Sequence, residues 1–147
     1  MLKDVYTYIK DADADLTVIP VAADGTGSKW LDKVCEFWPE LRQNYEAAFK
    51  TGKLHTGHIL LTYSGLFDGK KVAFAVTRTS SEMTCRELTV RNILKALQEY
   101  CRENDIKTVA MTRIGAKEGL SWEHWIRRQY VRALEYEMGT EYKIYLY

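Results

Sequence analysis

Two glycine loops hold the residues whose types and spacing point most directly to chemistry. The first is Asp24, Gly25, Thr26, Gly27 and Ser28, set between an apolar run and a stretch of helical spacing. The second runs from Ile114 through Gly115, Ala116, Lys117, Glu118 and Gly119 to Leu120. It follows the apolar Val109–Thr112 and leads into Ser121, an expected N-cap, and Glu123, where the helix dipole favours an anion. Glycine lets a ligand approach the backbone closely, and a helix N-terminus offers free N–H groups. A strand that feeds such a loop into a helix therefore makes a phosphate cradle. Two of them at one sheet edge suit one ligand with two phosphates or more. Neither loop is a GxxxxGK[ST] motif, so an ordinary P-loop nucleotidase is excluded. Gly25 and Gly27 lack the third glycine of a dinucleotide fingerprint. The rival reading is that these glycines only turn the chain.

The other chemistry-bearing residues form no constellation. Cys35, Cys85 and Cys101 are odd in number and widely spaced, which fits a reducing cytoplasm rather than a disulfide framework. His55 and His58 would be half a metal site, but no close cysteine or carboxylate pair completes it, so no metal and no cofactor are expected. Lys and Arg total 21 against 20 Asp and Glu, a formal charge of +1, which demands neither nucleic acid nor a membrane surface. Local basic patches remain compatible with that balance. No apolar run approaches the roughly 20 residues of a spanning helix, and the N-terminal residues do not resemble a signal peptide. The 147 residues suit one domain.

The elements that must position the loops follow from periodicity. Strands are expected at 5–9, 16–21, 58–63, 71–77 and 109–112, with 142–147 as an edge strand carrying an exposed lysine. Pro20 should weaken pairing near the end of the second strand. Helices are expected at 29–36, 39–50 and 87–101, and from Ser121 onward. Leu41, Tyr45, Ala48 and Phe49 would line the buried face of the second helix, and Gly52 its C-terminal cap. Asp68-Gly69 reads as a hairpin turn. The order ββααββαβαβ implies an α/β fold, a mixed and mostly parallel sheet with helices on both faces. Ligands in such folds settle at the carboxyl ends of strands, where both glycine loops lie.

The segments 25–34, 37–59, 109–125 and 142–147 together resemble the macro domain, a three-layer α/β/α module of about six strands that binds ADP-ribose. The similarity covers nearly the whole chain. It is greatest to the subgroup of terminal ADP-ribose protein glycohydrolase, DNA-ADP-ribose glycohydrolase antitoxins and ADP-ribose-1″-phosphate phosphatases. Ile114-Gly115, Gly119-Leu120 and Trp122 carry its most specific motif. The resemblance implies that residues 24–28 wrap the distal ribose and a phosphate, and that residues 114–120 cradle the diphosphate. It implies an adenine contact from Asp11 or Asp13. The family's catalytic lysine maps to Arg78, after Val76 and Thr77, and its late-loop aspartate to Glu118. An arginine keeps its proton, with a pKa above about 12, so it cannot attack as an amine. Arg78 can still grip a phosphate or a leaving group, and Glu118 can act as a base on water. Ala116-Lys117 replaces one glycine of the late loop and narrows the cradle. The function so implied is binding of ADP-ribose and hydrolysis of a conjugate of it, on the phosphate, a protein or a nucleic acid. The alternative is a module that only recognises ADP-ribose. Either would act as a cytoplasmic monomer (in the host cytoplasm if viral) without a membrane partner.

Overall fold

The computed structural model describes residues 1–9, 12–62, 71–116, 120–137 and 139–145. Asp11, Tyr63, the Asp68-Gly69 turn, Lys117, Glu118, Gly119, Leu146 and Tyr147 lie outside the described residues, as do the side chains of residues 124 and 125. The strands are β1 (Leu2–Val5), β2 (Leu16–Ala22), β3 (Ile59–Thr62), β4 (Lys71–Arg78), β5 (Thr108–Thr112) and β6 (Glu141–Tyr145). The helices are α1 (Lys29–Cys35), α2 (Glu40–Lys50), α3 (Glu87–Glu103) and α4 (Arg127–Leu134), the last preceded by a π-helical turn at Trp122–Ile126.

The sheet runs β1-β6-β5-β2-β4-β3 and is parallel except for β3, which pairs antiparallel with β4. Alternation along the strands explains the three layers. Leu16 and Val18 of β2, with Ala73 and Ala75 of β4, face a core built from α3, the π turn and α4. Ile19 and Val21, with Val72, Phe74 and Val76, face a second core built from α1 and α2. Every residue of β2 is buried, as expected of a strand covered on both sides. The β2–β5 ladder stops at Val18, two residues before Pro20, while β2–β4 pairing continues to Ala22.

Helix ends follow local rules. Gly52, at φ +69°, closes α2, and the Lys53 N–H reaches back to the Ala48 carbonyl at 3.0 Å. Asp105 plays the same part for α3 at φ +53°, with Ile106 N–H on the Cys101 carbonyl at 3.0 Å.

Four expectations are corrected. The first strand is Leu2–Val5, three residues earlier than its aromatic run suggests, because β6 sets its register from Leu2 against Tyr142 to Val5 against Tyr145. Tyr6 and Tyr8 are left exposed. The final strand is not an edge: β6 lies between β1 and β5, with Tyr142 and Ile144 buried. Phe49 is 45% exposed instead of core. The last helix opens with a π turn, in which Ile126 N–H bonds the Ser121 carbonyl at 3.2 Å. That wider turn lets Trp122 and Ile126 both reach the core, and Trp122 meets Tyr130 edge-on at 4.9 Å.

Cys101 on α3 is buried near Tyr142, and burial pushes its thiol up to about 11. A folded-state value above the unfolded one, about 8.5, stabilises the fold fully below that pH. The contribution is lost as pH rises through the folded value. Urea unfolding should therefore show a drop of about 2 kcal/mol between pH 8 and pH 10.5, since each pH unit separating the two values is worth about 1.36 kcal/mol. Cys101→Ala should show a smaller drop, and an equal one would remove this thiol from the account.

Candidate functional site

Five parallel strands end at one edge, and the first glycine loop leaves β2 there. The loop is held from below and from the side. Tyr45 of α2 accepts the Gly27 N–H at 2.9 Å and donates its hydroxyl to the Ala22 carbonyl at 2.6 Å. Ala23 and Asp24 N–H groups donate to the carbonyls of Arg78 and Thr79, each at 2.9 Å. Ser28 is the N-cap of α1: its hydroxyl accepts from Leu31 N–H at 2.9 Å and donates to the Pro20 carbonyl at 2.5 Å. Thr26 donates to Asp24 Oδ1 at 2.5 Å and accepts from Ser81 N–H at 3.0 Å. The Thr26 hydroxyl, with further help from its N–H and from Ser80, holds the Asp24 carboxyl below its ordinary pKa.

Beside this loop lies a cleft of about 280 Å³, lined by Thr26, Ser28, Lys29, Trp30, Asp32, Arg78 and Ser81. Arg78, at the end of β4, forms part of its wall. Its Nη1 donates to the Met83 carbonyl at 3.2 Å, while its buried Nε has no acceptor among the described residues. A buried, unpaired cationic N–H is costly unless an anion meets it. Asp32 is ion-paired with Arg42, which tempers its charge towards the cleft.

The late loop leaves β5 at the same edge. Ile114 is buried; its N–H bonds the Thr112 carbonyl at 2.8 Å and its carbonyl accepts the Tyr130 hydroxyl at 3.1 Å. Ala116 N–H bonds the Arg113 carbonyl at 3.0 Å, and Leu120 N–H bonds the Gly115 carbonyl at 3.0 Å. The turn therefore uses these amides for its own closure. Gly115 sits at φ +96°, where a Cβ would come within 3.1 Å of Val90 Cγ2. Arg113 stacks over Trp122 at 4.9 Å, and Trp122 belongs to the core.

The structure thus brings Thr26, Ser28 and Arg78 to one cleft, with Asp24, Gly25 and Gly27 in the adjoining loop. Ile114, Gly115, Ala116 and Leu120 share the sheet edge. Thr77 does not face the cleft: it is buried, and its hydroxyl lies 3.4 Å from the Val21 carbonyl. Asp13 is exposed and only two residues from Asp15, which binds the Lys107 and Thr108 N–H groups at the opposite edge. The residues that directly follow β1 are Tyr6, Thr7 and Tyr8. Lys117, Glu118, Gly119 and Asp11 fall outside the described residues. Sequence reasoning missed Lys29, Asp32, Ser81 and Tyr45. Lys29 was findable as the residue after an N-cap; Tyr45 carried no signal beyond its apolar spacing.

No protein-family model and no curated protein matches the sequence. Solved structures do. The macrodomain of Thermus aquaticus DarG superposes with a TM-score of 0.86 at 24% identity, over 99% of this chain and 97% of that one. The macrodomain of Mycobacterium tuberculosis DarG gives 0.88 at 24% identity, over 100% and 98%. This chain has the macrodomain fold. Two further structures with the macrodomain fold were determined with nucleotides. Thermosipho africanus DarTG in complex with ADP-ribose matches with a TM-score of 0.86 at 17% identity, over 99% of this chain and 41% of that one. The Oceanobacillus iheyensis macrodomain with ADP gives 0.75 at 14% identity, over 99% and 83%. Among the described residues no helix is long and apolar enough to cross a membrane.

Proposed function

We propose that residues 1–147 form a single macro domain that binds ADP-ribose at the carboxyl edge of the sheet and hydrolyses a conjugate of it. The conjugate is ADP-ribose-1″-phosphate or an ADP-ribosyl adduct on protein or nucleic acid. The observation that carries the reading is the cleft between the first glycine loop and Arg78, lined by Thr26, Ser28, Lys29 and Arg78. The two nucleotide-bound structures of the same fold support the choice of ligand. In this reading Glu118 takes a proton from water, the water oxygen attacks the carbon or phosphorus of the scissile bond, and that bond breaks. Arg78 meets the negative charge that develops on the leaving oxygen. We also assign the protein to the cytoplasm, as a monomer.

A non-catalytic reader of ADP-ribose is the second reading, favoured by an arginine at position 78 where the resemblance calls for a lysine. Calorimetry with ADP-ribose tests both. Saturation near 100 times Kd should raise stability by about 2.7 kcal/mol, and no heat and no stabilisation at millimolar ligand would reject both. Turnover of ADP-ribose-1″-phosphate, or of ADP-ribosylated protein or DNA, should fall by at least about 100-fold in Glu118→Ala. Turnover unchanged in that variant removes Glu118 from the mechanism; binding without turnover on every substrate favours the reader.

A further inference from the structure

α4 presents a surface that shares no residue with the cleft beside the first glycine loop. Arg127, Arg128 and Arg132 line an open groove of about 430 Å³ with Glu123 and Val131. All three arginines are exposed. Arg127 lies 3.9 Å from Asp4 of β1, whereas Arg128 and Arg132 have no ion-pair partner among the described residues. These two stand one turn apart, about 6 Å along the axis, and like charges at that spacing destabilise a helix. Packing does not require the arrangement, because α4 buries Tyr130 and Leu134. One turn beyond Arg132 comes Tyr136, 83% exposed. Glu135 between them keeps helical backbone angles, φ −61° and ψ −39°, so positions 128, 132 and 136 follow one stripe.

We propose that this stripe binds single-stranded nucleic acid, with the arginines on backbone phosphates and Tyr136 stacked on a base. The guanidinium fork matches phosphate oxygens. A basic track with an exposed aromatic holds single strands without reading their sequence. An acidic peptide would find only Val131 as an apolar side chain in the groove. Nucleic-acid interfaces are more polar and much more positively charged than protein–protein ones. A duplex keeps its bases stacked inside and leaves Tyr136 without a role. The surface is separate from the glycine-loop cleft and does not depend on the ADP-ribose reading.

The test is fluorescence anisotropy of the full chain with a labelled, unmodified 12-nucleotide DNA strand of mixed sequence at 50 mM salt. Binding is expected, with log K falling against log salt at a slope of about −2, from roughly 0.7 per phosphate and three contacts. The double variant Arg128→Gln/Arg132→Gln should weaken binding at least tenfold and flatten the slope. Tyr136→Ala should weaken it about tenfold and leave the slope unchanged. Circular dichroism confirms that these surface variants stay folded. No anisotropy change, or a double variant that binds like the parent, overturns the proposal. So does tighter binding of a duplex, or displacement by a glutamate-rich peptide as effective as displacement by unlabelled strand.

Discussion

Tyr45→Ala should lower the unfolding free energy by about 4–6 kcal/mol, a large part of a small domain's stability. The ring is buried, meets Phe74 edge-on at 5.8 Å and belongs to the core under α1 and α2. Truncating a buried aromatic costs about 3–5 kcal/mol through lost burial and the cavity left behind. The hydroxyl adds to this, because it closes two backbone groups at once, the Gly27 N–H and the Ala22 carbonyl. Leaving them buried and unpaired costs about 1–3 kcal/mol each, less whatever water entering the cavity restores. Tyr45→Phe separates the two contributions. It keeps the ring and should cost about 2 kcal/mol. Under the proposed function it should also weaken ADP-ribose binding about tenfold, since the glycine loop loses the strut that holds its shape, and tenfold is about 1.4 kcal/mol. Urea unfolding and calorimetry measure both. A Tyr45→Phe protein with parental stability and affinity would mean that the loop holds its shape without the hydroxyl.

Gly115→Val should cost about 4 kcal/mol. Two causes act together. A β-branched residue at φ +96° is strained by about 1–3 kcal/mol. Its Cβ would also press on Val90 Cγ2 at 3.1 Å, Leu120 Cδ1 at 3.4 Å and Ile126 Cδ1 at 3.6 Å, and overpacking of this kind costs about 1–3 kcal/mol. Gly115→Ala/Val90→Ala relieves the first contact and keeps a side chain at positive φ. Compared with Gly115→Ala and Val90→Ala, it should show a favourable coupling. A valine variant within about 1 kcal/mol of the parent would mean that the late turn relaxes more readily than its bonds suggest. Gly115 is thus needed by the fold whether or not a ligand approaches it.

What could be read from the sequence was mostly what is local. The glycine loop into α1 and the Gly52 stop each depend on residues a few positions apart. The largely apolar β2 showed its burial on both faces. What failed depended on partners far along the chain. The run from Val5 to Ile9 alternates well enough for a strand, yet pairing with β6 selects Leu2–Val5. Lys143 made the last strand look like an edge. In the sheet it has neighbours on both sides and its ammonium lies 3.7 Å from Glu141. The cleft was half legible. Thr26, Ser28 and Arg78 were marked by motif and position, but Ser81 enters through a hydrogen bond to Thr26 across 55 residues. Asp11 and Asp13 were named from a first strand expected at 5–9, whereas the described strand ends at Val5.

The placement of β6 between β1 and β5 also bears on how the chain is made. Ribosomal synthesis delivers β1 before the other described strands, and β6, its neighbour among them, after all of them. The segments from β2 to β5 can collapse while the nascent chain lengthens, since β2, β4 and β3 pair among themselves and β5 adds to β2. β1 must wait, unpaired, until residues 141–145 have left the exit tunnel. The described sheet is therefore completed in one late step that joins β1 to β6, after most of the hydrophobic interior has formed.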